Sequence, residues 1–412
     1  MSFRSVFIAL VIGFSLVLAA LLINGQRPKI ESNQPNVSLV RATGKCAECH
    51  SRLQHSIVHE FELSTHAAKN VTCLDCHQPA AGQESTDHHS FVISKTVTSA
   101  NCRGCHESIY QQFLRSRHAA PSWAAVYGEA GLATEQVAFS EKFHPGASKR
   151  AANPLVELEG TAAMASGCAK CHSIGKPNAD GTIGTCTACH TRHTSSVAIA
   201  RLPATCGQCH MGPDHSQLEI FTESKHGLMF SAQQDLLNLK ADPKHLTTRD
   251  MFVPTCATCH MSGLNGLNVT HDTSERLSYW LFAEISEQRP NYLRAQETMK
   301  ETCTQCHARP RIDQVFREAE DVVKATNDKV KAVKEIMDGL RNDGFLGKPF
   351  QTPLDFKYFD LWHYYGRTAK HGAFMGGADF TQWHGNYPML QHTVEIKALA
   401  DELRRGKDAA AK

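Results

Sequence analysis

A mainly α fold is what this 412-residue sequence predicts, with long irregular segments between short helices and long helices toward the C-terminus. Three observations predict it. All sixteen cysteines fall in a single pattern, Cys-x-x-Cys-His, repeated eight times, so the backbone is organised around whatever those motifs hold. Alternating apolar and polar runs of the kind that build sheets are few. Between Val315 and Leu340, Val315, Phe316, Ala319, Val322, Val323, Val330, Val333, Ile336, Met337 and Leu340 recur at helical spacing, which predicts one long amphipathic helix up to Gly344.

Composition narrows the class before any motif is interpreted. With 43 basic and 41 acidic side chains the formal charge is +2, which excludes a nucleic-acid binder working through a strongly basic surface. Charged residues at 20% and apolar residues at 42% are too few and too many, respectively, for a disordered chain. A secreted disulfide scaffold would space its cysteines irregularly, whereas here none falls outside the repeat.

The eight motifs are Cys46, Cys49 and His50; Cys73, Cys76 and His77; Cys102, Cys105 and His106; Cys168, Cys171 and His172; Cys186, Cys189 and His190; Cys206, Cys209 and His210; Cys256, Cys259 and His260; and Cys303, Cys306 and His307. Two thiols three residues apart project from one turn of chain. They suit thioether bonds to the two vinyl groups of one porphyrin, with the adjacent histidine reaching the iron beneath. A zinc ribbon needs paired Cys-x-x-Cys knuckles and no histidine, and a thioredoxin-like pair needs one copy. The motif therefore predicts eight covalently bound c-type haems. That leaves about fifty residues per cofactor, so the porphyrins supply much of the apolar core and the polypeptide wraps them.

Attachment uses eight of the 24 histidines, and low-spin electron-transfer haems each need a second axial ligand. A repeat of the form Phe-x-x-Ser-x-His-small occurs at Phe61 to Ala67, Phe113 to Ala119 and Phe221 to Gly227. It nominates His66, His118 and His226 as distal ligands, the small residue letting the backbone lie against a porphyrin face. His193 follows His190 by three residues, a spacing that keeps both off one iron but suits donation to a neighbouring haem. His89, His271 and His384 complete the expected set, with His55 and His59 in reserve. Seven distal ligands for eight haems leave one iron with an open face.

The chain divides into three parts on this reading. Residues 1–30 carry Arg4 and the apolar run Val6 to Ile23, a signal sequence or an N-terminal membrane anchor. Residues 31–310 bind the haems, and residues 311–412 form a helical region packing on the haem core and on neighbouring subunits. Between the third and fourth motifs, residues 107–167 contain no motif and suit an excursion that shields one haem. Covalent haem attachment takes place outside the cytoplasm, so a periplasmic location is expected, with the chain held there by the anchor.

Several stretches carry a family resemblance: Cys206 to His215 (CGQCHMGPDH), Ser224 to Gly227 (SKHG), Cys256 to Gly263 (CATCHMSG), Thr270 to Leu277 (THDTSERL) and His371 to Gly385 (HGAFMGGADFTQWHG). Together they resemble the octahaem hydroxylamine oxidoreductase family, over most of the chain after about residue 40. The resemblance implies seven bis-histidine haems, a catalytic fourth haem on Cys168, Cys171 and His172, and a homotrimer. It also implies an Asp-His pair over the open iron, which here is Asp214 and His215, with Tyr279 as a third member of the pocket. Interconverting nitrite, nitric oxide and hydroxylamine moves protons with electrons, and a histidine held by a carboxylate can shuttle them. The bland alternative for His215 is one more distal ligand.

In the oxidising members of the family a tyrosine from a neighbouring subunit bonds to the catalytic porphyrin. In the segment 371–387 this chain has Phe374 and Phe380 and offers only Tyr387, with Tyr364 and Tyr365 just before it. An uncross-linked haem leans toward reduction of nitrite or hydroxylamine to ammonia, fed by a redox partner cytochrome or a quinol-linked membrane cytochrome. Oxidation of hydroxylamine to nitric oxide or nitrite is the opposite reading. A non-catalytic electron conduit, with every iron bis-histidine, is a third. Nitrite or tetrathionate reductases with a lysine at the catalytic haem are disfavoured, since no Cys-x-x-Cys-Lys occurs.

Overall fold

The computed structural model describes residues 13–15, 18 and 40–410, with side chains to residue 406. The run Val6 to Ile23, and the leader or anchor expected there, lies almost wholly outside the described residues. Among those residues no helix is long and apolar enough to cross a membrane.

The architecture is mostly helical, as expected. Helices α1 (Lys45–Leu53), α2 (His55–Glu62) and α3 (Thr65–Ala68) lead into a hairpin of β1 (Ser85–His88) and β2 (Phe91–Ser94). This antiparallel pair is the only sheet among the described residues. Then come α4 (Ser99–Leu114), α5 (Ala120–Tyr127), α6 (Cys168–His172) and α7 (Lys225–Gln233), with several shorter helices and irregular segments between them. The C-terminal part comprises α8 (Tyr292–Thr304), α9 (Arg309–Asn342), α10 (Pro353–Phe359), α11 (Arg367–Met375) and α12 (Tyr387–Ala410).

The long helix α9 runs for 34 residues and starts six residues before the apolar period shows. Pro310 sits in its first turn, where a missing N–H costs nothing, and Gly344, at φ 77°, ends the run in the left-handed region. Its stripe divides by neighbour. Val330, Val333, Met337 and Leu340 enter a core with Leu361 and Ile396, whereas Val315 and Phe316 face an internal cavity. This C-terminal bundle seats α11 on the loop 213–216, where the Thr368 hydroxyl donates to the Pro213 carbonyl at 3.2 Å.

Two turns of the bundle, Asp360–Gly366 and Gln382–Asn386, are π-helical. The widened spacing re-aims side chains relative to an α-helix and is frequent at functional sites. Sequence periodicity carries no sign of it.

Side chains fill little of the interior around the motifs. One connected cavity of about 4070 Å³ runs through it, well beyond the ~1,000 Å³ that bounds ordinary ligand pockets. Seven of the motifs contribute to its lining, and the first, at Cys46 to His50, stands apart. A chain that wraps prosthetic groups in place of a side-chain core has this form.

Candidate haem-binding core and open-iron site

Each motif takes a helical or turn conformation, as in α6 (Cys168–His172) and the helix Cys256–His260. Residues i and i+3 share a face there, so both thiols of a pair project together. None of the sixteen cysteines pairs with another in a disulfide.

The histidines meet in pairs. Ring centres are 6.0 Å apart for His50 and His88, 6.5 Å for His77 and His193, and 6.1 Å for His106 and His66. They are 6.3 Å apart for His190 and His271, 5.9 Å for His210 and His118, and 5.9 Å for His307 and His226. An imidazole nitrogen binds a first-row metal at about 2 Å, which puts each ring centre about 3 Å from the ion, so two trans imidazoles stand about 6 Å apart. The six pairs have the spacing of axial ligands.

Ring protonation agrees. Burial pushes His118 down to about 3 and His260 and His271 to about 4, favouring the neutral imidazole that binds metal. The Nδ1 atoms of His50 and His172 lie 2.6 Å from Gln54 Oε1 and 2.7 Å from the Ser122 carbonyl, which leaves Nε2 for the iron. Ser122 belongs to α5, so the motif-free interval 107–167 touches the fourth motif. The residues fit covalent haem.

Five of the expected distal histidines (His66, His118, His193, His226 and His271) face a motif histidine, and two do not. The ring opposite His50 is His88, not His89, whose ring stands edge-on to that of His88 at 4.6 Å. His88 ends β1 whereas His89 lies in the hairpin turn at φ 48°, so the two rings are turned different ways. His384 is 59% exposed, on a π-helical turn, and pairs with Asp379 at 3.0 Å. Among the described residues no ring faces His172 or His260. Replacing His88 with Ala is expected to abolish one low-spin signal in electron paramagnetic resonance, while His89→Ala leaves the spectrum intact; the reverse pattern restores His89.

The repeat around His66, His118 and His226 has a local cause. Ser64 and Ser224 are helix N-caps, accepting from the N–H of Ala67 and Gly227 at 3.1 Å each, and Ser116 Oγ accepts from the N–H of His118 at 3.0 Å. The small residue answers to backbone and not only to porphyrin: a Cβ on Gly227 would collide with the Phe221 carbonyl.

The thiols trace a path. Beyond the effect of burial, Cys73 is pushed up by Cys46, and Cys76 by Cys102 and Cys105. Cys102 lies beside Cys186, and Cys206 beside Cys256. Burial and Cys206 push Cys189 up to about 11, and burial with Cys303 and Cys306 pushes Cys259 up to about 12. The motifs therefore follow one another in the order one, two, three, five, six, seven, eight. The fourth branches from the sixth, where Cys209 meets Cys171.

Beside that fourth motif lie Asp214 and His215. His215 Nδ1 is 2.5 Å from Asp214 Oδ1, and its ring stands edge-on to His210 at 6.0 Å. Both residues bear on His172, whose pKa is lowered mainly by burial and further by His215, and raised by Asp214. Burial pushes the Asp214 carboxyl up, but the hydrogen bond to His215 and the charges of His215, His363 and Arg367 outweigh it and hold Asp214 below the usual carboxylate range. His260 has no such acid–base pair; burial, then Arg276 and His210, lower it.

Tyr279 lines the same cavity but faces elsewhere. Its hydroxyl accepts from Gln288 at 3.2 Å and its ring lies 6.0 Å from Phe374. The structure joins it to neither Asp214 nor His215. Tyr364 is closer in kind: burial, Asp360 and then Asp214 raise its hydroxyl. Tyr387 is exposed and packs on Trp383.

Sequence reasoning missed His363, Arg367 and Phe282. Arg367 Nη1 is 3.7 Å from Asp214 Oδ2, and its guanidinium lies between the rings of Phe282 and Trp362, 5.2 Å from each. No spacing links these residues to position 214 in the sequence; the seating of α11 does so.

Eight Cys-x-x-Cys-His motifs, imidazoles paired at the spacing of axial ligands and a helical wrapper define a multihaem c-type cytochrome. More particularly, the chain belongs to the family described as seven times multi-haem cytochrome CxxCH, whose model matches residues 69–352. That span holds seven motifs and leaves out the first, the one that stands apart from the shared cavity. The chain is 26% identical over 249 residues to a Kuenenia stuttgartiensis protein described as "Probable nitrite reductase-hydroxylamine oxidoreductase fusion protein", covering 53% of this chain and a quarter (25%) of that protein's length. Among solved structures it is similar to a hypothetical multiheme protein, at TM-score 0.76 and 20% identity over 92% of this chain and 100% of that one. It is also similar to a reducing HAO-like protein complex of Kuenenia stuttgartiensis, at TM-score 0.68 and 20% identity over 89% and 86% of the two chains. The two structural likenesses are likenesses of fold.

Proposed function

We propose that this protein is an octahaem oxidoreductase of small nitrogen compounds, acting at one open haem held by Cys168, Cys171 and His172. The observation that carries the reading is the Asp214–His215 pair beside a motif histidine that no imidazole of the described chain faces. Haem bound there supplies an iron able to ligate a nitrogen compound and exchange electrons with it.

The side chains manage the protons. Asp214, kept ionised, stands 2.5 Å from Nδ1 of His215, and this ion pair orients the imidazole. The remaining nitrogen of His215 is left to give or take a proton at the substrate, a contribution of about 10² to 10⁴ in rate. Ser122 holds His172 by its Nδ1, and Phe282 and Trp362 give the pocket an apolar wall. The six paired positions, in the order the thiols follow, form a relay for electrons, with the seventh motif, at His260, lying in the same line.

The reading leans toward reduction of nitrite or hydroxylamine, because Phe374 and Phe380 stand where the segment 371–387 would have to supply a cross-linking tyrosine. Periplasmic location, assembly as a homotrimer and electron supply from a partner cytochrome belong to the same proposal. Protein from a host able to mature c-type cytochromes decides it. Mass spectrometry is expected to show eight added haems. The purified protein is expected to turn over nitrite with a reduced dye faster than hydroxylamine with an oxidant, and its ferrous spectrum to lack a modified-haem band. Turnover in neither direction would leave an electron conduit.

A further inference from the structure

Helix α11 brings three basic side chains to the interior within two turns: Arg367, Lys370 and His371. Lys370 is fully buried at 0% exposure and donates to the Ser286 hydroxyl at 2.6 Å, on the loop that carries Phe282. Arg367 and His371 line the cavity. Asp214 is the carboxylate facing this cluster, and its oxygens are turned to His215 and Arg367.

The hydrogen bonds of Arg367 leave it incomplete. Of the five N–H groups of a guanidinium, two donate to the Phe282 carbonyl at 3.1 and 2.7 Å, and one donates to Nε2 of His363 at 2.8 Å. The other two, one on each terminal nitrogen, have no hydrogen-bond acceptor among the described residues; Asp214 Oδ2 stands 3.7 Å from Nη1. Because Arg367 can only donate, Nε2 of His363 must accept, so His363 is neutral, in keeping with burial and Arg367 pushing it to about 3. The fork is fixed in place, gripped by one carbonyl, one imidazole and two aromatic faces.

A second observation points to a ligand. His371 is 6% exposed, its ring lies 4.8 Å from Phe282, and its Nδ1 has no hydrogen-bond partner. A buried polar atom without a partner costs free energy unless something bound there satisfies it. Phe282 thus carries basic groups on several sides: Arg367, His371 and, at 6.1 Å edge-on, His215.

We propose that Arg367, with His371 beside it, is an oxyanion subsite that makes this centre selective for nitrite over neutral nitrogen compounds. This rests on the function proposed above and adds the residue that sets its substrate. A guanidinium with one free N–H on each terminal nitrogen matches the two oxygens of a nitrite ion. Hydroxylamine and nitric oxide carry no charge and gain nothing comparable.

The test uses the matured full-length protein and the variants Arg367→Gln and Arg367→Lys, with haem content checked by mass. Oxidised protein is titrated with sodium nitrite while the high-spin optical band is followed, and KM for hydroxylamine is measured in parallel. Nitrite affinity is expected to fall about tenfold or more in R367Q. A smaller loss is expected in R367K, which keeps the charge but not the fork, and in both variants hydroxylamine KM is expected to move by a smaller factor than nitrite affinity. R367K carries the test alone if R367Q fails to mature. Equal losses for the two compounds overturn the proposal, and so does an unchanged nitrite affinity. Equal losses with an altered reduction profile of the low-spin haems would assign Arg367 to a haem carboxylate instead. If the unaltered protein responds to neither compound, the open-haem reading itself fails, a result distinct from wild-type binding that ignores Arg367.

Discussion

Replacing His215 with Ala is expected to lower turnover by about 10² to 10⁴ while all haems stay attached and every low-spin signal persists. The imidazole pairs with Asp214 at 2.5 Å and faces no motif histidine in the trans arrangement, since His210, its edge-on neighbour, already faces His118. Loss of a low-spin signal would make His215 an axial ligand after all. Asp214→Asn is expected to act in the same direction by removing the charge that orients the imidazole. Its acid limit follows from the sign of the shift. A carboxyl held below its unfolded value stabilises the fold above that value and loses the contribution as pH falls through the lowered one. The pair is therefore expected to survive acidification below the range where free carboxylates protonate, which the pH profile of kcat checks.

Removing one attachment point has an equally large expected effect with a different signature. The double substitution Cys168→Ser and Cys171→Ser is expected to cost one haem by mass, the high-spin signal and all turnover. The six facing pairs lie on other motifs and keep their low-spin signals. The fourth motif branches from the line of thiols through Cys171 and Cys209, so its loss leaves that line continuous. The same double change at Cys206 and Cys209 is expected to interrupt it, slowing internal electron transfer between the two sides. If turnover persisted without the haem on Cys168 and Cys171, the reaction would have to lie at another motif, and His260, the other unpaired histidine, would be the next candidate.

How far the site was legible depended on whether a residue's partner lay nearby in sequence. His66, His118 and His226 could be named because a serine N-cap and a close backbone contact are local and leave a repeated signature. His88 could not be separated from His89, since both sit in one short run and only the fold of the hairpin determines which ring is turned to His50. His384 sits in a distinctive sequence context, but the π-helical turn leaves it at the surface. Asp214 and His215 were reached by resemblance. Arg367, His363 and Phe282 had no local mark, because what gives them meaning is the docking of α11 on the loop 213–216, with about 150 residues between them.

The sequence by itself determined the covalent chemistry, for a thiol pair and its histidine lie within one helical turn and need no other part of the chain. It also determined the long helix, whose period is local. Only the tertiary structure decided which imidazoles stand opposite one another, the order in which the motifs follow and the cluster that surrounds Asp214. Those depend on distances between segments far apart in the chain, and such distances are set by packing around the haem cavity and not by any spacing along it.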